Sequence, residues 1–224
     1  MRTKYLTVLV LLVSFQLGYG QAKEDSNTIN FMNIPDEMIK KEIAFFSKKG
    51  KALGSYLEST KLKEVRPWVC DSLVVVFHFG DTYINLYLKE MGSEGQIDSF
   101  IPASLFWGTN VKPTRIVDSL ALSYHKFVSK IPKAAVSGLY EPSICDFVPP
   151  ERKKNKIKWL PNLHSFFQKN LPLLDCYKVF TSLDKSHTYI YMLAGEVGRR
   201  YEVTWVFHYT DYLYRVVDNL DSDD

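Results

Sequence analysis

Period-two patterning near the C-terminus constrains this chain most. Runs near residues 176–183, 187–197, 200–209 and 212–218 are rich in β-branched and aromatic residues and are separated by short Gly- or Asp-containing breaks. They read as an antiparallel meander. A turn at Gly198-Arg199 would pair Ile190 with Phe207, Met192 with Trp205 and Ala194 with Val203, with Tyr189 opposite His208 and Leu193 opposite Thr204 on the other side. An apolar face is thereby separated from a mixed one.

A second hairpin is predicted upstream. Leu73 to Phe79 is an apolar run, Gly80-Asp81 is a turn signal, and Thr82 to Lys89 alternates. The turn pairs His78 with Tyr83 and Phe77 with Ile84, so that Phe77, Ile84, Leu86 and Leu88 face a core while His78, Tyr83, Asn85, Tyr87 and Lys89 face away.

Helical spacing occurs in two places. Pro35, Asp36 and Glu37 form a helix start, and Ile39, Ile43, Phe46, Leu53 and Leu57 continue a stripe to about residue 59, weakened at Gly50 and Gly54. After Pro113, the spacing of Ile116, Leu120, Tyr124, Phe127 and Ile131 predicts a second helix ending near Lys130. Residues 132–158, with Pro142, Pro149 and Pro150, read as a long irregular loop, and Trp159 to Asn170 as a short third helix. The expected fold class is α+β: an antiparallel sheet, built from the hairpin and the meander, packed against two or three amphipathic helices.

The N-terminus reads as an export signal. Arg2 and Lys4 precede an apolar stretch from Leu6 to Phe15, too short to span a bilayer, and Gly18 and Gly20 supply small residues for cleavage before Gln21. No cysteine near that point could be acylated. The expected organisation is a signal peptide over 1–20, a polar lead-in over 21–34, one globular domain over 35–220 and an acidic tail over 221–224. The expected location is the periplasm or the cell exterior, without a lipid anchor or a membrane span.

The apolar content of 46% argues against disorder. The net charge of +3 includes Arg2 and Lys4, so the remainder is nearly neutral and offers nothing to attract nucleic acid. Cys70, Cys145 and Cys176 allow three pairings of one disulfide, and no Cys-x-x-Cys pair or adjacent histidine suggests a metal.

Two groups of residues could carry function. His78 with Asp81, and His208 with Asp211, repeat a His-x-x-Asp pattern across a turn, where a carboxylate could orient an imidazole for general-base work; no nucleophile motif accompanies either pair. Tyr83, Tyr87, Tyr189, Tyr191 and His208 are expected on one outward sheet face, combining aromatic area with polar tips suited to recognition. Arg152, Lys153, Lys154, Lys156 and Lys158 could contact an anionic polymer or acidic partner. The expectation is an exported soluble, non-enzymatic binding domain for a protein or glycan of the cell envelope, with no cofactor or metal. The alternative is an envelope hydrolase acting on a glycan or other envelope polymer.

Overall fold

The computed structural model describes residues 27–55, 57, 60–91, 107, 109, 113–143 and 175–221. The expected leader, the third helix, the basic run and Cys145 lie outside the described residues.

Two β-sheets, antiparallel except where β1 (Thr28–Ile29) runs parallel to β11 (Asp211–Asn219), pack face to face. A five-stranded sheet is built from β3 (Val69–Cys70), β4 (Val74–Phe79), β5 (Thr82–Glu90), β6 (Arg115–Tyr124) and β7 (Phe127–Val128), in that order. A six-stranded sheet contains β1 (Thr28–Ile29), β2 (Leu62–Val65), β8 (Tyr177–Ser182), β9 (His187–Ala194), β10 (Tyr201–His208) and β11 (Asp211–Asn219), ordered β1-β11-β10-β9-β8-β2. Their inner faces share one core, in which Phe77, Ile84, Leu86 and Leu122 of the smaller sheet meet Tyr177, Ile190, Val203 and Trp205 of the larger. The apolar half of each alternating strand is removed from water by the other sheet.

Helices form the third layer. Asp36 caps α1 (Glu37–Phe46) by accepting from Met38 N (2.8 Å) and Ile39 N (3.0 Å). Ile39, Ile43, Ala44 and Phe46 pack on the outer face of the six-stranded sheet against Phe180, Tyr189, Tyr191 and Val206, with Phe46 stacked on Phe180 at 4.1 Å. The helix ends earlier than its apolar stripe predicts. Ser47 is extended and its hydroxyl accepts from Gly50 N (2.9 Å), starting the separate short helix α2 (Lys48–Ala52). A Cβ on Gly50 would lie 2.5 Å from Ala44 Cα, so glycine permits this close turn.

The second predicted helix is instead β6 followed by β7. The four-residue steps from Ile116 through Leu120 to Tyr124 suit a strand as well as a helix, and the stripe they form is not one face: Leu120 is buried, whereas Tyr124 and Phe127 are exposed. A bulge sets the actual core face. Tyr87 pairs with Ser119 and Leu88 with Val117, leaving Asp118 as the extra residue, so Val117 and Leu120 both point into the core although they are three apart. Leu122 follows two residues later, at ordinary strand spacing. The chain is therefore sheet-rich with few helices, and among the described residues none is long and apolar enough to cross a membrane.

The Gly80-Asp81 hairpin has the predicted register, with His78 opposite Tyr83 and Phe77 opposite Ile84. The β9–β10 hairpin does not. Ile190 pairs with Trp205, Met192 with Val203, Ala194 with Tyr201, Tyr189 with Val206 and Leu193 with Glu202. Each expected partner is displaced by two residues, because the connection runs from Gly195 to Arg200, with Gly195 at φ +94° and Gly198 at φ +84°, instead of turning on Gly198-Arg199. An even displacement leaves every side chain on its predicted face.

Candidate functional site

The predicted tyrosine face is two faces, on opposite outer surfaces of the molecule. Tyr189 and Tyr191 lie on the outer side of the six-stranded sheet, where the helical layer leaves them 0% and 4% exposed. The Tyr189 hydroxyl donates to Glu42 of α1, and that of Tyr191 donates to Glu202 at 3.0 Å. Burial is the main influence raising both phenols well above their ordinary range. These tyrosines are amphipathic core, and the expectation that they share an open surface with Tyr83 is corrected by the two intervening sheets.

Tyr83 and Tyr87 remain in solvent, each 42% exposed. They stand on the outer face of the five-stranded sheet in cross-strand rows: His78–Tyr83–Ser123–Val128, Val76–Asn85–Ala121 and Val74–Tyr87–Ser119. Strand alternation places these residues here because their neighbours Phe77, Ile84, Leu86 and Leu122 fill the core. The His78 ring stacks on Tyr83 with centroids 4.2 Å apart and planes 13° apart, and the Trp68 ring lies 5.6 Å from His78. No side chain in the three rows is a carboxylate, ammonium or guanidinium. The result is a shallow aromatic platform beside small hydroxyl and amide groups. Trp68 carried no periodic signal, since it precedes the two-residue strand β3.

The His-x-x-Asp repeats do not form dyads. His78 Nε2 lies 3.0 Å from the Gly80 carbonyl oxygen, and the Asp81 carboxylate faces His125 Nε2 at 3.5 Å. The second repeat is arranged differently, because Tyr209 and Thr210 form its turn and His208 is the ladder partner of Asp211. His208 packs on His187, with ring centroids 5.4 Å apart, and on Tyr209 at 4.5 Å. The similar residues therefore occupy different turn positions. Among the described residues, no three His, Cys, Asp or Glu side chains gather where a metal ion could sit.

A cavity of about 420 Å³ opens at the edge of the smaller sheet, between β6 and the segment from Ile131 to Tyr140. Leu120, Ile131 and Val136 line it with Asp118 and Lys133, and none of the sequence-predicted site residues does.

No family model, curated protein or solved structure matches this chain.

Proposed function

We propose that this chain is an exported, non-enzymatic binding domain whose ligand is a glycan of the cell envelope, held across the outer face of the five-stranded sheet. The observation that carries this reading is the exposed His78/Tyr83 stack beside Trp68, flanked by Asn85, Ser119, Ser123 and Tyr87. Sugar rings present apolar C–H faces and a rim of hydroxyls. An aromatic platform with adjoining hydrogen-bonding groups complements both. Export rests on the signal-like first twenty residues, and the disulfide at Cys70 supports it because such bridges persist in oxidising compartments. The basic cluster from Arg152 to Lys158 would add attraction to an anionic polymer.

Co-sedimentation of the mature protein with insoluble envelope polysaccharide, stripped of protein by protease, tests this reading. The expected result is retention that falls at least tenfold, or about 1.4 kcal/mol, in a Trp68→Ala/Tyr83→Ala variant. Undiminished retention of that variant overturns the platform. Retention of wild type only by unstripped material overturns the glycan assignment and favours a protein ligand.

A further inference from the structure

Two buried carboxylates connect the helical layer to the sheet it covers. Glu202 on β10 and Asp218 on β11 are direct cross-strand partners, 3% and 8% exposed. Each binds backbone from the layer above. Lys48 N–H and Lys49 N–H, at the start of α2, donate to the two Glu202 oxygens at 2.7 and 2.9 Å, and Phe31 N–H donates to both Asp218 oxygens at 3.1–3.2 Å. The layer's two ends, on either side of α1, are thus tied to adjacent strands through a pair of like charges.

We propose that Glu202 and Asp218 form a proton-operated latch, which holds the layer of residues 31–52 firmly in mildly acidic medium and loosens it as the medium approaches neutrality. Like charges directly opposite on neighbouring strands oppose each other, and their burial beneath the layer removes the water that would screen them. A proton on the pair removes most of that opposition, while the remaining carboxyl oxygens can still accept the three N–H bonds.

The surrounding groups do not neutralise the pair. On the sheet, the Tyr191 hydroxyl donates to Glu202. From α2, the Lys48 and Lys49 charges favour the ionised forms of Glu202 and Asp218 respectively, but burial outweighs them. Farther along the same face, Asp36 and Glu42 of the α1 region act on Tyr189, and Asp36 acts on Tyr214. Burial first, and then Glu202, push Asp218 up to about 6, and Glu202 is also raised by its burial.

The direction follows from linkage. With the layer lifted, both carboxyls return to water and their ordinary range, so the docked state binds protons more tightly than the lifted one. Docking stability is full below the ordinary carboxyl range and is lost as pH rises through about 6, the value reached by Asp218. Lifting would uncover Phe180, Tyr189, Tyr191, Val206 and Val216, the aromatic face now covered by Phe31 and α1.

Amide hydrogen exchange of the full mature chain, followed residue by residue by NMR between pH 5 and pH 8 and corrected for intrinsic rates, tests the latch. Protection at Phe31, Lys48 and Lys49 is expected to fall more than tenfold over that range relative to Ile84 and Leu86 in the other sheet. Asp218→Asn and Glu202→Gln should each flatten the difference. Equal slopes in both regions, greater layer protection at pH 8, or a slope that survives in the double variant overturns the proposal. A wild-type measurement guards against variants that do not fold: the Asp218 carboxyl carbon should titrate above the ordinary aspartate range, and titration within or below that range overturns the latch.

Discussion

Trp205 and Arg215, cross-strand partners on β10 and β11, converge on one carbonyl oxygen, that of Ala135. The indole N–H reaches it at 2.6 Å and the guanidinium Nη1 at 3.2 Å; Nη1 also donates to the Ser137 carbonyl at 2.7 Å, and Nε donates to Thr28 Oγ1 at 2.8 Å. Ala135 is fully buried and belongs to the core between the sheets. A segment that sequence alone presents as irregular loop is therefore tied to the centre of the larger sheet. The same segment forms one wall of the edge cavity.

These bonds predict unequal costs. Trp205→Phe removes one donor while Arg215 still serves Ala135, and should cost about 1–2 kcal/mol. Arg215→Met leaves the Ser137 carbonyl and Thr28 hydroxyl without this donor and should cost about 3 kcal/mol. Because both residues share Ala135 O, the double variant should depart from additivity by at least about 0.5 kcal/mol. Urea unfolding of the three variants measures all of these, and strict additivity would show that the shared acceptor does not couple them.

The two tyrosine faces should respond very unequally to truncation. Tyr189→Ala opens a void beneath α1 and leaves Glu42 without its phenol partner, so a loss of about 3–5 kcal/mol is expected. Tyr83→Ala removes a partly exposed ring and should cost under about 1 kcal/mol. Thermal unfolding distinguishes them. A stable Tyr189→Ala protein would mean that the helical layer contributes little to the fold.

At the junction of the helices, Gly50→Ala should destabilise by about 1–3 kcal/mol, since the new methyl meets the Ala44 backbone and the Ser47 hydroxyl. Its usual advantage in helix propensity, near 1 kcal/mol, would be overridden. Gly54→Ala has open space around its Cβ but sits at φ +63°, so only a backbone penalty of about 1 kcal/mol is expected there. Circular-dichroism melts of the two variants should separate packing from conformational strain; equal shifts would remove the close contact as the explanation for Gly50.

How far sequence could lead differs from element to element. The β4–β5 hairpin could be read in full, because two turn residues and strict alternation leave one register. At β9–β10 the faces could be read but not the partners, since alternation is blind to an even shift and two glycines permit a longer connection. On β6, the four-residue spacing of Ile116, Leu120 and Tyr124 is shared by a helix face and by alternate strand positions, and the bulge at Asp118, which turns Val117 and Leu120 to the same side, leaves no local mark. The candidate site was half visible for a related reason. Periodicity identifies Tyr83 and Tyr189 as facing away from the inner core, but only tertiary packing decides that α1 covers one and not the other. Arg215 and Glu202 gave no local sign that they would be buried, because their partners lie on distant loops and helix ends.

Cysteine chemistry offers the last test, and its outcome depends on two contrasting environments. Cys70 is fully buried in the core between the sheets and is disulfide-bonded, whereas Cys176, just before β8, is free and partly exposed. A thiol reagent applied to the native protein should therefore find one group per chain, and Cys176→Ser should abolish that reaction without much change in stability. Cys70→Ser should raise the count to two, by releasing the thiol of its former partner, and should lower stability by about 2–4 kcal/mol. Part of that loss reflects a freer unfolded chain, and part the polar hydroxyl left in an apolar core. Mild reduction of wild type should reproduce the loss, and adding reductant to Cys70→Ser should produce no further change. If reductant left the wild-type melting temperature unchanged, the bridge would contribute nothing to holding β3 against the core.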